Sequence, residues 1–102
     1  MYFLVLDNKV QDDLLHISQD LSEAREQKFV QTLKNCLDLI LEHPLAMPTI
    51  GFDVAFPKLA IRKILLTGFS YGLLYVVFEE TEVIRVVACY HVRSDPETWL
   101  AQ

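Results

Sequence analysis

Basic residues are scarce in this 102-residue chain: nine Lys and Arg stand against fourteen Asp and Glu, for a formal net charge of −5. Phosphate contacts come mostly from clustered Lys and Arg, so unaided nucleic-acid binding fits the composition poorly. Cysteine is equally sparse. Cys36 and Cys89 can form at most one bridge and have no metal-ligand spacing. Both sit among apolar residues, where a thiol behaves as a small hydrophobe. No apolar run approaches the roughly 20 residues that a membrane helix needs. The opening run Tyr2-Phe3-Leu4-Val5-Leu6 lacks the length, basic lead and small-residue cleavage site of a secretory signal. The expectation is a cytoplasmic protein with no membrane, metal or cofactor. Internal repeats and low-complexity tracts are missing as well.

What is present suits one globular domain over residues 1–102, with 52 % hydrophobic and 23 % charged residues. The acids are concentrated early. Residues 1–55 hold nine acids and four Lys/Arg, whereas residues 56–102 hold five of each. The run from Tyr2 to Leu6 reads as a short strand. Asp7 or Asn8 can cap the next segment, and Asn8 with Gln11 resembles a capping box. Val10, Leu14, Ile17 and Leu21 recur at helical spacing, predicting a first helix of about three turns. Asp20 and Ser22 are caps for a second helix, whose stripe is Phe29, Val30, Leu33, Cys36, Leu37, Ile40 and Leu41. It should stop at His43, because Pro44 disfavours helical geometry in the residue before it. Residues 45–57 show no period and read as a loop packed by Met47, Ile50, Phe52 and Phe56.

Three strand-like runs follow, at 59–67, 70–79 and 82–92, with Glu80-Thr81 at a hairpin tip. Such short connections require antiparallel neighbours. The predicted fold is therefore α+β, in the order β-α-α-β-β-β, with a helical hairpin on one face of a small, mainly antiparallel sheet. Alternation in the last strand puts Ile84, Val86, Ala88, Tyr90 and Val92 under the helices. Arg85, Val87, Cys89, His91 and Arg93 fall on the opposite face.

The element order and a set of residues resemble the RelE/ParE toxin superfamily, closest to its ParE-like, plasmid-stabilisation branch. The resemblance spans about residue 10 to Trp99. It rests on His43-Pro44 after the helices, Ile61-Arg62-Lys63, Tyr71-Gly72-Leu73-Leu74-Tyr75, and the closing His91, Arg93, Asp95, Pro96 and Trp99. Ser94 stands where the family often carries a second arginine. The resemblance implies the toxin of a type II toxin–antitoxin system, neutralised by a cognate antitoxin, often through a helix laid in a groove. A ParE-like member implies inhibition of DNA gyrase by binding. A RelE-like member implies cleavage of mRNA on the ribosome, and a degenerate member implies no toxicity. A homodimer or a toxin–antitoxin hetero-oligomer fits either.

RNA cleavage without metal needs a general base, an acid, and cations for the developing phosphorane charge. Arg85, Arg93 and Lys63 are the candidate cations, and His91 is the candidate acid or base. The candidates for target or antitoxin binding are Arg62, Arg85, His91, Arg93, Ser94, Asp95 and Trp99. His91 can equally be a strand-end residue bonded to backbone, Arg93 with Asp95 a local ion pair, and Trp99 an anchor for the tail. The leaning is toward binding rather than catalysis.

Overall fold

A computed structural model describes residues 1–52 and 59–93. The order is β1 (Phe3–Leu6), α1 (Asn8–Gln19), α2 (Glu23–Glu42), β2 (Thr49–Phe52), β3 (Ala60–Leu65), β4 (Tyr71–Phe78) and β5 (Val83–His91). The strands form one sheet in the order β1-β5-β4-β3-β2. β1 runs parallel to β5, and every other pairing is antiparallel. The α+β class and the helical pair against the sheet are as the pattern predicts. One element is new: β2 lies inside the segment read as a loop. It pairs with β3 through an irregular register between Thr49 and Gly51, and that irregularity removes the alternation that marks a strand.

The helices begin and end for local reasons. Ser22 accepts a hydrogen bond from the Arg25 N–H at 3.4 Å, and Glu23 and Glu26 occupy the positive end of the α2 dipole. α2 closes at His43, before Pro44. At α1 the expected capping box does not form. The N-cap is Asp7, which makes no side-chain cap bond, and Gln11 Nε2 instead donates to the Leu6 carbonyl at 2.9 Å. Gly68, at φ +87°, makes the β3–β4 turn in a conformation that L side chains rarely adopt. Arg25 holds that turn, donating to the Gly68 carbonyl at 3.3 Å and lying over the Phe69 ring at 4.5 Å.

Val10 and Leu14 of α1 and Phe29, Cys36 and Ile40 of α2 bury against Ile64, Leu73, Tyr75, Val77, Ile84 and Val86 of the sheet. Val30, placed on the α2 stripe by its spacing, is exposed. The sheet's other face carries a smaller cluster of Ile61, Leu74, Val76 and Tyr90, joined by Ile50 and Ala88. Two tethers tie the helix-side layer together. Tyr75 donates its hydroxyl to the Pro44 carbonyl at 3.1 Å. Arg62 donates to the carbonyls of Leu45 at 2.9 Å and Met47 at 2.7 Å.

The last strand corrects the expected alternation. Leu74 pairs with Ala88 but Tyr75 pairs with Val86, so Val87 is an extra residue, a β-bulge. Every side chain after a bulge changes face relative to strict alternation. Ile84 and Val86 therefore face the helices as predicted, while Ala88 and Tyr90 belong to the opposite cluster and Cys89 packs with the helix-side core.

Candidate functional site

The bulge decides where the predicted site residues lie. His91 falls on the helix side, where its ring meets Tyr71 edge-on, with centroids 5.1 Å apart and planes at 82°. Its Nδ1 accepts the Arg93 backbone N–H at 3.1 Å, so a neutral ring carries its proton on Nε2. Arg85 precedes the bulge and stays on the opposite face, paired in register with Val5 on one side and Val76 on the other. The expected grouping of Arg85 and His91 on one face does not occur.

Nor do the cations converge. Arg85 forms a two-pronged ion pair with Asp7, Nε to Oδ1 at 2.6 Å and Nη2 to Oδ2 at 3.1 Å, which draws it toward the β1 edge. Lys63 shares the Arg85 face but is registered with Leu74. Two strand spacings and two residues of offset separate its Cα from that of Arg85 by about 12 Å. Arg62 is turned to the other face and engaged with the carbonyls of Leu45 and Met47. Arg93 is exposed at the exit of β5. Ser94, Asp95 and Trp99 lie outside the described residues.

A cleft among the described residues lies elsewhere. A cavity of about 340 Å³ opens between α1 and the β4–β5 end of the sheet, lined by Asp13, His16, Ile17, Asp20, Leu21, Tyr71 and Cys89. A second, of about 310 Å³, continues along α1 beside the Val87 bulge and shares Asp13 and Cys89 with the first. Burial pushes the Cys89 thiol up to about 11, and the Asp13 carboxylate pushes in the same direction. Cys36 is also raised by burial, and both cysteines are free thiols. Among the described residues no three His, Cys, Asp or Glu are grouped to hold a metal ion, and no helix is long and apolar enough to cross a membrane. Sequence reasoning passed over His16 and this cleft. The available signal was the spacing of Asp13, His16 and Asp20, which puts all three on one side of α1.

No protein-family model matches the chain, and no curated protein matches it. Solved structures do match, among them two of the E. coli RelE toxin. The isolated E. coli RelE toxin superposes with a TM-score of 0.59 at 23 % identity, over 99 % of this chain and 95 % of that one. An E. coli RelE double arginine-to-alanine mutant in complex with an antitoxin RelBc peptide gives 0.58 at 25 %, over 98 % and 90 %. The chain has the RelE/ParE-type toxin fold. The likeness to RelE does not distinguish the ParE-like branch suggested by the sequence.

Proposed function

We propose that this chain is the toxin-type member of a type II toxin–antitoxin pair, held by a cognate antitoxin, and that it acts on its target by binding. The fold supports the first part, since a RelE structure of the same fold carries an antitoxin peptide. The second part rests on the dispersal of the cations. Arg85 is bound by Asp7, Arg62 by loop carbonyls, and Lys63 stands about 12 Å from Arg85. A phosphorane needs several cations aimed at one point. DNA gyrase, the target implied by the ParE-like resemblance, is the first to test.

A second reading is a RelE-like, ribosome-dependent mRNA endoribonuclease. It is favoured by the RelE neighbours and by the contact between His91 and Arg93 at the end of β5. Controlled expression with and without the neighbouring small reading frame separates the two. Growth arrest with lost supercoiling, rescued by that frame, is the expected result. Rapid translation arrest with cut message, abolished by His91→Ala or Arg93→Ala, would establish the nuclease instead. Growth unaffected by expression would remove toxicity from either reading.

A further inference from the structure

His91 is the last residue of β5, registered with Tyr71 on β4. The ladder closes one residue later, where the Val92 N–H donates to the Ser70 carbonyl at 2.9 Å. The chain then turns, and the next donor, the Arg93 N–H, is taken by Nδ1 of the His91 ring at 3.1 Å. A side-chain acceptor that reaches the N–H two residues on is the arrangement of an Asx turn, here with imidazole in place of the carboxamide. Tyr71 steadies the ring from β4 through its edge-on contact.

This bond dictates the state of the ring. A neutral imidazole has one N–H and one lone pair. With the Nδ1 lone pair given to Arg93, the proton sits on Nε2 and nothing is left to take up another. Protonation puts a donor on Nδ1, facing the Arg93 N–H, and adds positive charge two residues from the Arg93 guanidinium. Charge on His91 and the closed turn therefore exclude each other. The titratable and charged groups that face this end of the sheet are Asp13, His16 and Asp20 of α1 and Cys89 of β5, which border one cavity with Tyr71. Burial keeps the Cys89 thiol neutral. His16 is a second imidazole and has to be told apart from His91 by mutation.

We propose that His91 is a positioning residue: a proton-released latch that holds the turn after β5, and with it Arg93, rather than an acid or base in its own right. With the ring neutral, the latch is closed and fixes where the Arg93 backbone leaves the sheet. It opens as the ring takes up a proton, because histidine is the side chain that changes charge between about pH 5 and 8. The inference concerns the protein by itself and stands apart from the choice of target.

The test is an NMR titration of the isotopically labelled full chain between about pH 8 and pH 5. At the alkaline end the ring nitrogens should report the Nε2–H tautomer. On acidification the protection of the Arg93 amide, corrected for the intrinsic pH dependence of exchange, should fall about two- to tenfold, the loss expected for one hydrogen bond. That fall should follow the titration of the His91 ring, while the Val92 amide, held by Ser70, keeps its protection. His16→Gln should leave the response in place. His91→Asn supplies a short acceptor that does not titrate, so it should keep the Arg93 amide protected at both ends of the range. His91→Ala should leave that amide unprotected at both. An Nδ1–H tautomer in the neutral ring, or an Arg93 amide that ignores the His91 titration, would overturn the proposal. So would a response that persists in His91→Asn or vanishes in His16→Gln. If His91→Ala fails to fold, the wild-type titration and the other two variants decide. None of these outcomes depends on the toxin–antitoxin reading.

Discussion

On its helix side the sheet buries Tyr75 completely and ties the hydroxyl to Pro44, 31 residues earlier in the chain. On its other side Tyr90 lies across Gly72, where an added Cβ would come within 2.6 Å of the tyrosine ring. The two faces share five strands but solve burial differently. The helix side draws its partners from two amphipathic helices, so its core is broad. The opposite side fills itself from within the sheet, setting a large ring against a residue with no side chain. The bulge at Val87 sends Tyr90 to that second face, and it also sends His91 away from Arg85. A single extra residue therefore fixes both the packing of one face and the separation of the candidate site residues.

The widest gap between the faces should appear on deleting Tyr75. Tyr75→Ala removes a fully buried ring and its bond to Pro44, and should cost about 3–5 kcal/mol in a urea titration, the range for large aromatic truncations. Tyr75→Phe keeps the ring and should cost only about 1 kcal/mol. If the two variants lose equally, the tether rather than the ring holds that face. Gly72→Ala probes the other side and should cost about 1–3 kcal/mol through overpacking. Combined with Tyr90→Ala, its loss should be much smaller than the sum of the single losses. Strict additivity would mean that Tyr90 does not cover Gly72.

Alkaline pH should strain the helix side in particular. Burial holds the Tyr75 phenol up to about 12, against the opposing pull of Arg62, and holds the Cys89 thiol up to about 11. Both groups ionise more readily when unfolded, near 10 and 9. Their stabilisation is whole below those values. It is lost as pH rises from 9 to 11 for Cys89 and from 10 to 12 for Tyr75. Holding the buried Tyr75 phenol at about 12 rather than 10 corresponds to about 3 kcal/mol. Stability measured against pH should therefore fall less steeply above pH 10 in Tyr75→Phe, and less steeply above pH 9 in Cys89→Ala. Wild-type slopes in both variants would mean that ionisation elsewhere drives the alkaline loss.

Most of the frame was legible in the sequence because it is written in local patterns. Val10, Leu14 and Ile17 mark α1 by their spacing, and Pro44 marks the end of α2. β2 was hidden because Pro48 directly precedes it, Gly51 falls within it and its register slips. The bulge was hidden for a different reason. Val86, Val87 and Ala88 are all apolar, so strict alternation and alternation with one extra residue read alike. The candidate site inherited that ambiguity, since the face assigned to His91 depends on it. The partner of Asp7 was beyond local reading, because Arg85 is 78 residues away. Asp7 stands at the N-cap position of α1 as its place in the sequence suggests, but its side chain anchors Arg85 rather than bonding to the helix.

That anchor supports the smallest effect and bears most directly on the separated cations. The Asp7 and Arg85 side chains are 26 % and 45 % exposed, and pairs of that kind contribute about 0.2–1 kcal/mol. The two-pronged geometry places this one near the top of the range. Asp7→Ala should therefore cost about 1 kcal/mol in low salt, and less in molar salt as screening shortens the reach of the pair. Asp7→Asn separates charge from capping, because asparagine remains a good N-cap residue. If the asparagine variant loses as much as the alanine variant, and both losses shrink with salt, the ion pair is what Asp7 contributes. Loss in neither variant would show that Arg85 does not depend on Asp7, and the strongest structural reason for withholding Arg85 from RNA chemistry would go with it.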